Sequence, residues 1–119
     1  MRHTALALPL ACLVIVSACG SAATPASPTP SAAAPRVEYK GFKANPMTLE
    51  VAKGTTVTWT NSDPTAHTVT SGTNRQSDGK FDGEIGQGET FTFTFQQAGT
   101  FEYFCMRHAS MVGFKVVVR

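Results

Sequence analysis

Charge of either sign is not in excess in this sequence: ten Lys and Arg stand against eight Asp and Glu, a formal net charge of +2 over 119 residues. The chain therefore lacks the dense basic patch that nucleic-acid binding requires, and nucleic acid is excluded as a partner. Helical periodicity is missing as well, which argues against a helical or an alternating α/β architecture. The opening apolar run, Ala5 to Val16, is too short to span a bilayer, which takes about 20 apolar residues. Cysteines are too few for a disulfide framework. Of the three present, Cys12 lies inside that apolar run and Cys19 just after it, so Cys105 has no partner. Globular composition is absent from the opening third, and what remains has room for one small domain.

What is present begins with an export signal. Arg2 and His3 form a short polar start, the apolar run follows, and Val16-Ser17-Ala18-Cys19 closes it. Small residues directly before a cysteine resemble the lipobox of bacterial lipoproteins, in which the cysteine is lipidated and becomes the new N-terminus. On that reading residues 1–18 are removed and Cys19 anchors the chain to the outer side of the cell membrane; the alternative is ordinary cleavage to a soluble periplasmic or secreted protein. Either places the domain outside the cytoplasm. Residues 20–35 contain Pro25, Pro28, Pro30 and Pro35, no charge and almost nothing to bury, so they cannot offset the entropy cost of ordering. Residues 19–35 thus read as the lipidated cysteine and a tether, reaching on the order of 50 Å if extended at about 3.1 Å per residue.

From Val37 onward the pattern turns to strands: 37–42, 48–52, 55–61, 68–71, 90–95, 101–105 and 114–119 are rich in β-branched and aromatic residues. Alternation is cleanest at 90–95, where Phe91, Phe93 and Phe95 share one face, expected to meet the core. Trp59 and Tyr103 are expected in the core too. Turn chemistry separates the strands at Lys53-Gly54, Ser62-Asp63-Pro64, 72–79, Gly86-Gln87-Gly88 and Ala98-Gly99. Short strands with such breaks predict an all-β, two-sheet antiparallel sandwich.

The chemistry gathers in Cys105-Met106-Arg107-His108-Ala109-Ser110-Met111, where a thiol, an imidazole and a thioether occupy one short loop after a strand. A lone thiol in an exported protein needs burial or a metal to protect it. Cu(I) prefers the sulfur of Cys and Met while Cu(II) prefers imidazole, so this mixed set suits copper; Met is a poor ligand for zinc. A trigonal His-His-Cys site with a weak axial Met needs one more histidine. His3 lies in the export signal, which leaves His67.

These residues resemble a known family. Asn45-Pro46-Met47-Thr48-Leu49-Glu50-Val51, Gly54-Thr55-Thr56-Val57-Thr58-Trp59-Thr60-Asn61, Ala66-His67-Thr68-Val69 and Gly99-Thr100-Phe101-Glu102-Tyr103-Phe104-Cys105 are similar to segments of the plastocyanin-like cupredoxins, amicyanin-type members with the short Cys-x-x-His-x-x-Met loop above all. The resemblance covers residues 37–119 and implies a domain over 36–119 folded as a Greek-key β-sandwich of about seven to eight strands. It implies one copper ion, cycling between Cu(I) and Cu(II), on His67, Cys105, His108 and Met111, and a carrier of single electrons rather than an enzyme. An extracytoplasmic copper-binding or delivery protein without redox work is the alternative. The implied partners are redox proteins docking transiently near His108 against a rim of Met106, Ala109 and Val112, with Arg107 meeting an acidic surface, and the chain is expected to be a monomer. Two positions depart from the family: Thr68 stands where many members have Asn, and Ala109 where Pro is common.

Overall fold

The computed structural model describes residues 33–119 together with Gly20; the expected export signal, Cys19 and most of the tether lie outside the described residues. Nine strands follow in chain order: β1 (Arg36–Tyr39), β2 (Ala44–Asn45), β3 (Thr48–Val51), β4 (Thr56–Asn61), β5 (His67–Thr73), β6 (Gln76–Ile85), β7 (Thr90–Thr94), β8 (Gly99–Phe104) and β9 (Phe114–Val118). They form two sheets, one ordered β2-β1-β4-β7 and the other β3-β9-β8-β5-β6. Most neighbours are antiparallel, but β1 runs parallel to β4 and β3 parallel to β9, because the chain switches sheets between them.

Alternation sets the core. In β4 the inward residues Val57, Trp59 and Asn61 are fully buried, and in β9 Phe114, Val116 and Val118 turn inward while Lys115 and Val117 stay half-buried. Trp59 sits at the centre, its ring 5.9 Å from Phe81, 5.8 Å from Phe91 and 5.6 Å from Tyr103, so aromatic groups from both sheets close on it. Each fully buried side chain of this size contributes about 1.5–3 kcal/mol relative to exposure.

The strand count exceeds the seven to eight expected, for two local reasons. The strand expected over 37–42 ends at Tyr39, because Gly41 and Phe42 both take positive φ (63° and 60°) and turn the chain into β2. The run 72–79, expected to be a break, contains a tight turn at Asn74 and Arg75 (φ 50° and 62°) and then the start of β6. Polar, Gly-containing β6 lies at a sheet edge, where it has little to bury on one face and so carries no apolar alternation. Its Gly83 has a packing reason: a Cβ there would stand 2.3 Å from the Phe91 ring. Of the three Phe on 90–95, Phe95 is buried, while Phe91 and Phe93 are only partly covered, since β7 is also an edge strand.

Topology brings three loops to one end of the sandwich. Tyr39 pairs with Asn61, so the β1–β2 turn and the β4–β5 loop leave their sheet together. In the other sheet Thr70 of β5 pairs with Phe104 of β8, and the strands are antiparallel. Going back from Thr70 to His67 therefore leads in the same direction as going forward from Phe104 to Cys105. The β8–β9 loop, 105–113, returns at this end too, since Tyr103 pairs with Phe114.

Candidate metal centre

His67 and Cys105 are fully buried and His108 is half-buried, and their donor atoms lie within 4.8 Å of one another. His67 Nδ1 is 3.0 Å from His108 Nδ1, and the Cys105 Sγ is 3.8 Å from the first and 3.5 Å from the second. A triangle with those sides has a circumradius of about 2.0 Å, so one point is equidistant from the three atoms at close to a metal–nitrogen bond length. Three donors converge on one point, two of them buried, and among the described residues no Lys or Arg side chain is hydrogen-bonded to any of the three. The residues present fit a metal ion.

Met111, the fourth residue singled out by the sequence, is fully buried in the core cluster. Its backbone closes the loop: Cys105 N–H donates to Met111 C=O at 2.9 Å, and Met111 N–H donates to His108 C=O at 3.1 Å. These two bonds curl 105–111 into a tight turn and hold Cys105 and His108 on its inner side. Thr68 N–H points at the Cys105 sulfur at 3.2 Å, a donor that steadies negative charge on the thiolate.

Thr68 also ties the two loops. Its Oγ1 accepts the Met106 N–H at 2.8 Å and lies 2.9 Å from Thr70 Oγ1, which donates to the Asp82 carboxylate at 2.7 Å. Since the Thr70 proton goes to the carboxylate, the Thr68 hydroxyl must donate to Thr70. The proton order is thus fixed from the ligand loop to Asp82 on β6. The departure from Asn at this position leaves the inter-loop tie intact. Arg75, at the β5–β6 turn, adds a second tie by donating to Cys105 C=O and Met106 C=O at 3.4 and 2.8 Å.

Asp63 is a site residue the sequence reading missed, having been read only as part of a turn. Its Oδ2 is 2.9 Å from His67 Nε2, and a carboxylate beside that nitrogen fixes the tautomer: Nε2 carries the proton and Nδ1 is left as the donor. Gly41 N–H and Phe42 N–H donate to the same carboxylate at 2.6 and 3.0 Å. Burial works to raise the pKa of Asp63, but the bonds from Phe42, Gly41 and His67 outweigh it and hold the carboxyl below its ordinary value. Burial, then the neighbouring His67 and Arg107, lower the pKa of His108, a shift that favours the neutral imidazole. The four-residue spacing from Asp63 to His67 was the signal available in the sequence.

Phe42 was missed too. Its ring lies edge-on to both imidazoles, 5.5 Å from His67 and 5.0 Å from His108 between centroids. A bulky residue at φ 60° costs roughly 1–2 kcal/mol over its normal backbone. Below the site Tyr39 packs against His67 at 5.4 Å and donates to Thr68 C=O. Arg107, expected to meet an acidic surface of a partner, is bonded at 2.7 Å to both oxygens of Glu84 within the chain.

A thiol, an imidazole and a buried methionine on one short loop, met by a second imidazole at the start of β5, define a single-site metalloprotein at the end of a two-sheet sandwich, with a donor set that serves both oxidation states of copper. A family model described as copper binding proteins, plastocyanin/azurin family, matches residues 33–119, and the chain belongs to that family. Its cofactor is one copper ion. Amicyanin-alpha of Methylorubrum extorquens is 29% identical over 122 residues, covering 99% of each chain. Among solved structures, a purple cupredoxin from Nitrosopumilus maritimus is 29% identical with a TM-score of 0.65, covering 71% of this chain and 99% of that one. An amicyanin variant solved in its Cu(I) form is 32% identical with a TM-score of 0.64, covering 72% and 82%.

Proposed function

We propose that this chain is a carrier of single electrons whose copper would be held by His67 Nδ1, Cys105 Sγ and His108 Nδ1, with Met111 as a fourth ligand. The observation that carries the reading is the donor triangle, whose common centre lies about 2.0 Å from each atom. Bound copper supplies the one-electron couple. The chain supplies donors already in place: Asp63 orients His67, the Met111 backbone curls the ligand loop, and Thr68 and Arg75 tie that loop to β5 and its turn. Such fixed donors need little rearrangement when the charge of the site changes, which favours fast exchange over storage. Related amicyanin variants have been solved both oxidised and in the Cu(I) form, which supports a site that works in both states.

Half-buried His108 is the route we assign for electrons. Phe42 packs against it, and the other exposed large apolar residues among the described ones, Met47, Met106 and Val112, also lie on loops between strands. This apolar face is the docking surface for a redox partner, in a weak and transient encounter. The chain is tethered outside the cytoplasm by lipidated Cys19; mass analysis of the native N-terminus tests this, and an unmodified start within 20–35 would remove the anchor without touching the copper reading.

The test is the optical spectrum of the domain with one equivalent of Cu(II). An intense blue thiolate-to-copper absorption is expected, and it disappears in Cys105→Ala while the apo fold persists. A colourless complex of the unaltered chain overturns the reading and favours storage or delivery.

A further inference from the structure

The β1–β2 connection contradicts its own local preferences. Lys40 N–H bonds to Lys43 C=O at 3.0 Å around two central residues, Gly41 and Phe42, that both have positive φ. This is the geometry of a tight primed hairpin turn, which draws Gly, Asn or Asp at both centres. Gly41 suits it; Phe42 does not. A side chain that avoids this backbone is nonetheless placed in it, half-exposed, with its ring edge-on to two metal-ligating imidazoles. The turn is not left to find this position by itself. The Asp63 carboxylate accepts both N–H groups of its central residues and the His67 Nε2–H, so one buried group fixes the turn and the histidine relative to each other. Positions where sequence and local geometry disagree, with the surroundings enforcing the conflict, are where function is sought.

We propose that Phe42 is a positioning residue of the metal centre, a ring clipped through Asp63 across the open side of His67 and His108 that keeps water and small anions away from the copper. The inference rests on the copper reading above and adds to it a control over what reaches the ion. Its ring stands nearly perpendicular to both imidazoles, at 5.5 and 5.0 Å between centroids, so it both screens them and limits their rotation. His108 remains partly exposed beside it, which leaves a path for an electron where a hydrated anion is turned away.

Azide titration of the Cu(II) form, followed by the blue absorption, tests this with Phe42→Gly, Phe42→Asn and Phe42→Leu. Gly and Asn are at ease at φ 60°, so both variants fold, and the apo melting temperature of Phe42→Gly is expected to match or exceed that of the unaltered chain. In these two variants azide is expected to perturb the band at concentrations at least tenfold lower than in the unaltered chain, with Phe42→Leu between. Superimposable azide titrations of blue unaltered and Phe42→Gly proteins overturn this inference and leave the copper reading standing. Absence of the blue band from the unaltered chain sinks both.

Discussion

The Asp63 carboxylate and the His67 imidazole are joined by a 2.9 Å bond inside the loop end of the sandwich, and the bond decides which nitrogen of His67 faces Cys105. Without the carboxylate the tautomer is no longer chosen and the imidazole is free to tilt. Asp63→Ala is expected to weaken copper binding about 10- to 100-fold. Competition against a chelator of known affinity measures it, and unchanged affinity would show that packing by Tyr39 and Phe42 alone orients the ring.

Met111 fills core space, and the ligand role proposed for it separates from that packing role by substitution. Met111→Leu conserves volume and should cost the apo fold less than about 1.5 kcal/mol. Copper should be retained, with the reduction potential shifted upward. Voltammetry reads the outcome, and an unshifted potential would remove Met111 from the ligand set.

Thr68 holds the Met106 N–H through its hydroxyl alone. Thr68→Val keeps the shape but leaves that donor without its acceptor and Thr70 Oγ1 with only its bond to Asp82, a loss of about 1–3 kcal/mol. Thr68→Asn, which can accept from the same N–H, should recover part of it. Chemical denaturation of the apo forms compares the three, and equal midpoints for Val and Thr would show that the loops need no tie.

Arg107 is occupied by Glu84, so steering of the proposed redox partner is expected from Lys40 and Lys43, which are exposed and make no ion pair among the described residues. They flank the Gly41-Phe42 turn at the rim of the apolar face. A Lys40→Glu, Lys43→Glu double variant is expected to slow electron transfer with an acidic partner and flatten its salt dependence, as rim charges govern encounter rates. Stopped-flow rates at rising ionic strength supply the check; identical salt slopes would place the docking charges elsewhere.

Far from the copper, the Lys80 and Ser71 side chains bond the Asp78 carboxyl and bring its pKa from 3.8 down to about 2. A depressed carboxyl contributes stability above its unfolded value, and that contribution is lost as pH falls from 3.8 through about 2. Asp78 is partly solvent-screened, so the effect is under about 1 kcal/mol. Asp78→Asn should lower stability slightly at neutral pH and flatten the decline over that window. Denaturant midpoints across the acid range would refute this if both proteins lose stability in parallel.

Much of the site was legible because its donors are rare residue types. Only three histidines and three cysteines occur, and the seven residues from Cys105 to Met111 carry a sulfur–imidazole–sulfur order with few other uses. The sandwich was legible for the same reason that Trp59 and Val116 are buried: strand alternation reflects a one-sided core. What escaped was whatever depends on a backbone bond rather than on a side-chain type. Asp63 looks like any turn residue until Gly41 and Phe42 are brought to it from the neighbouring strand. Phe42 looked like the end of a strand, since a Phe at positive φ is what propensity argues against. β6 escaped because an edge strand with one solvated face need not alternate.

The parallel pairing of β3 with β9 gives the copper centre a place in time as well as in space. Thr48 meets Lys115 across more than half of the chain, and β9 follows all the other strands of the described residues in chain order. Contacts of such long sequence separation close slowly. The ligand loop is bounded by β8 and β9, so Cys105, His108 and His67 cannot hold their triangle until that final strand has docked. Metal capture by this chain is therefore a late event that reads out completed folding. A partly folded copy is a poor competitor for the ion, and a loaded copy is withdrawn from unfolding in proportion to how tightly it holds the metal.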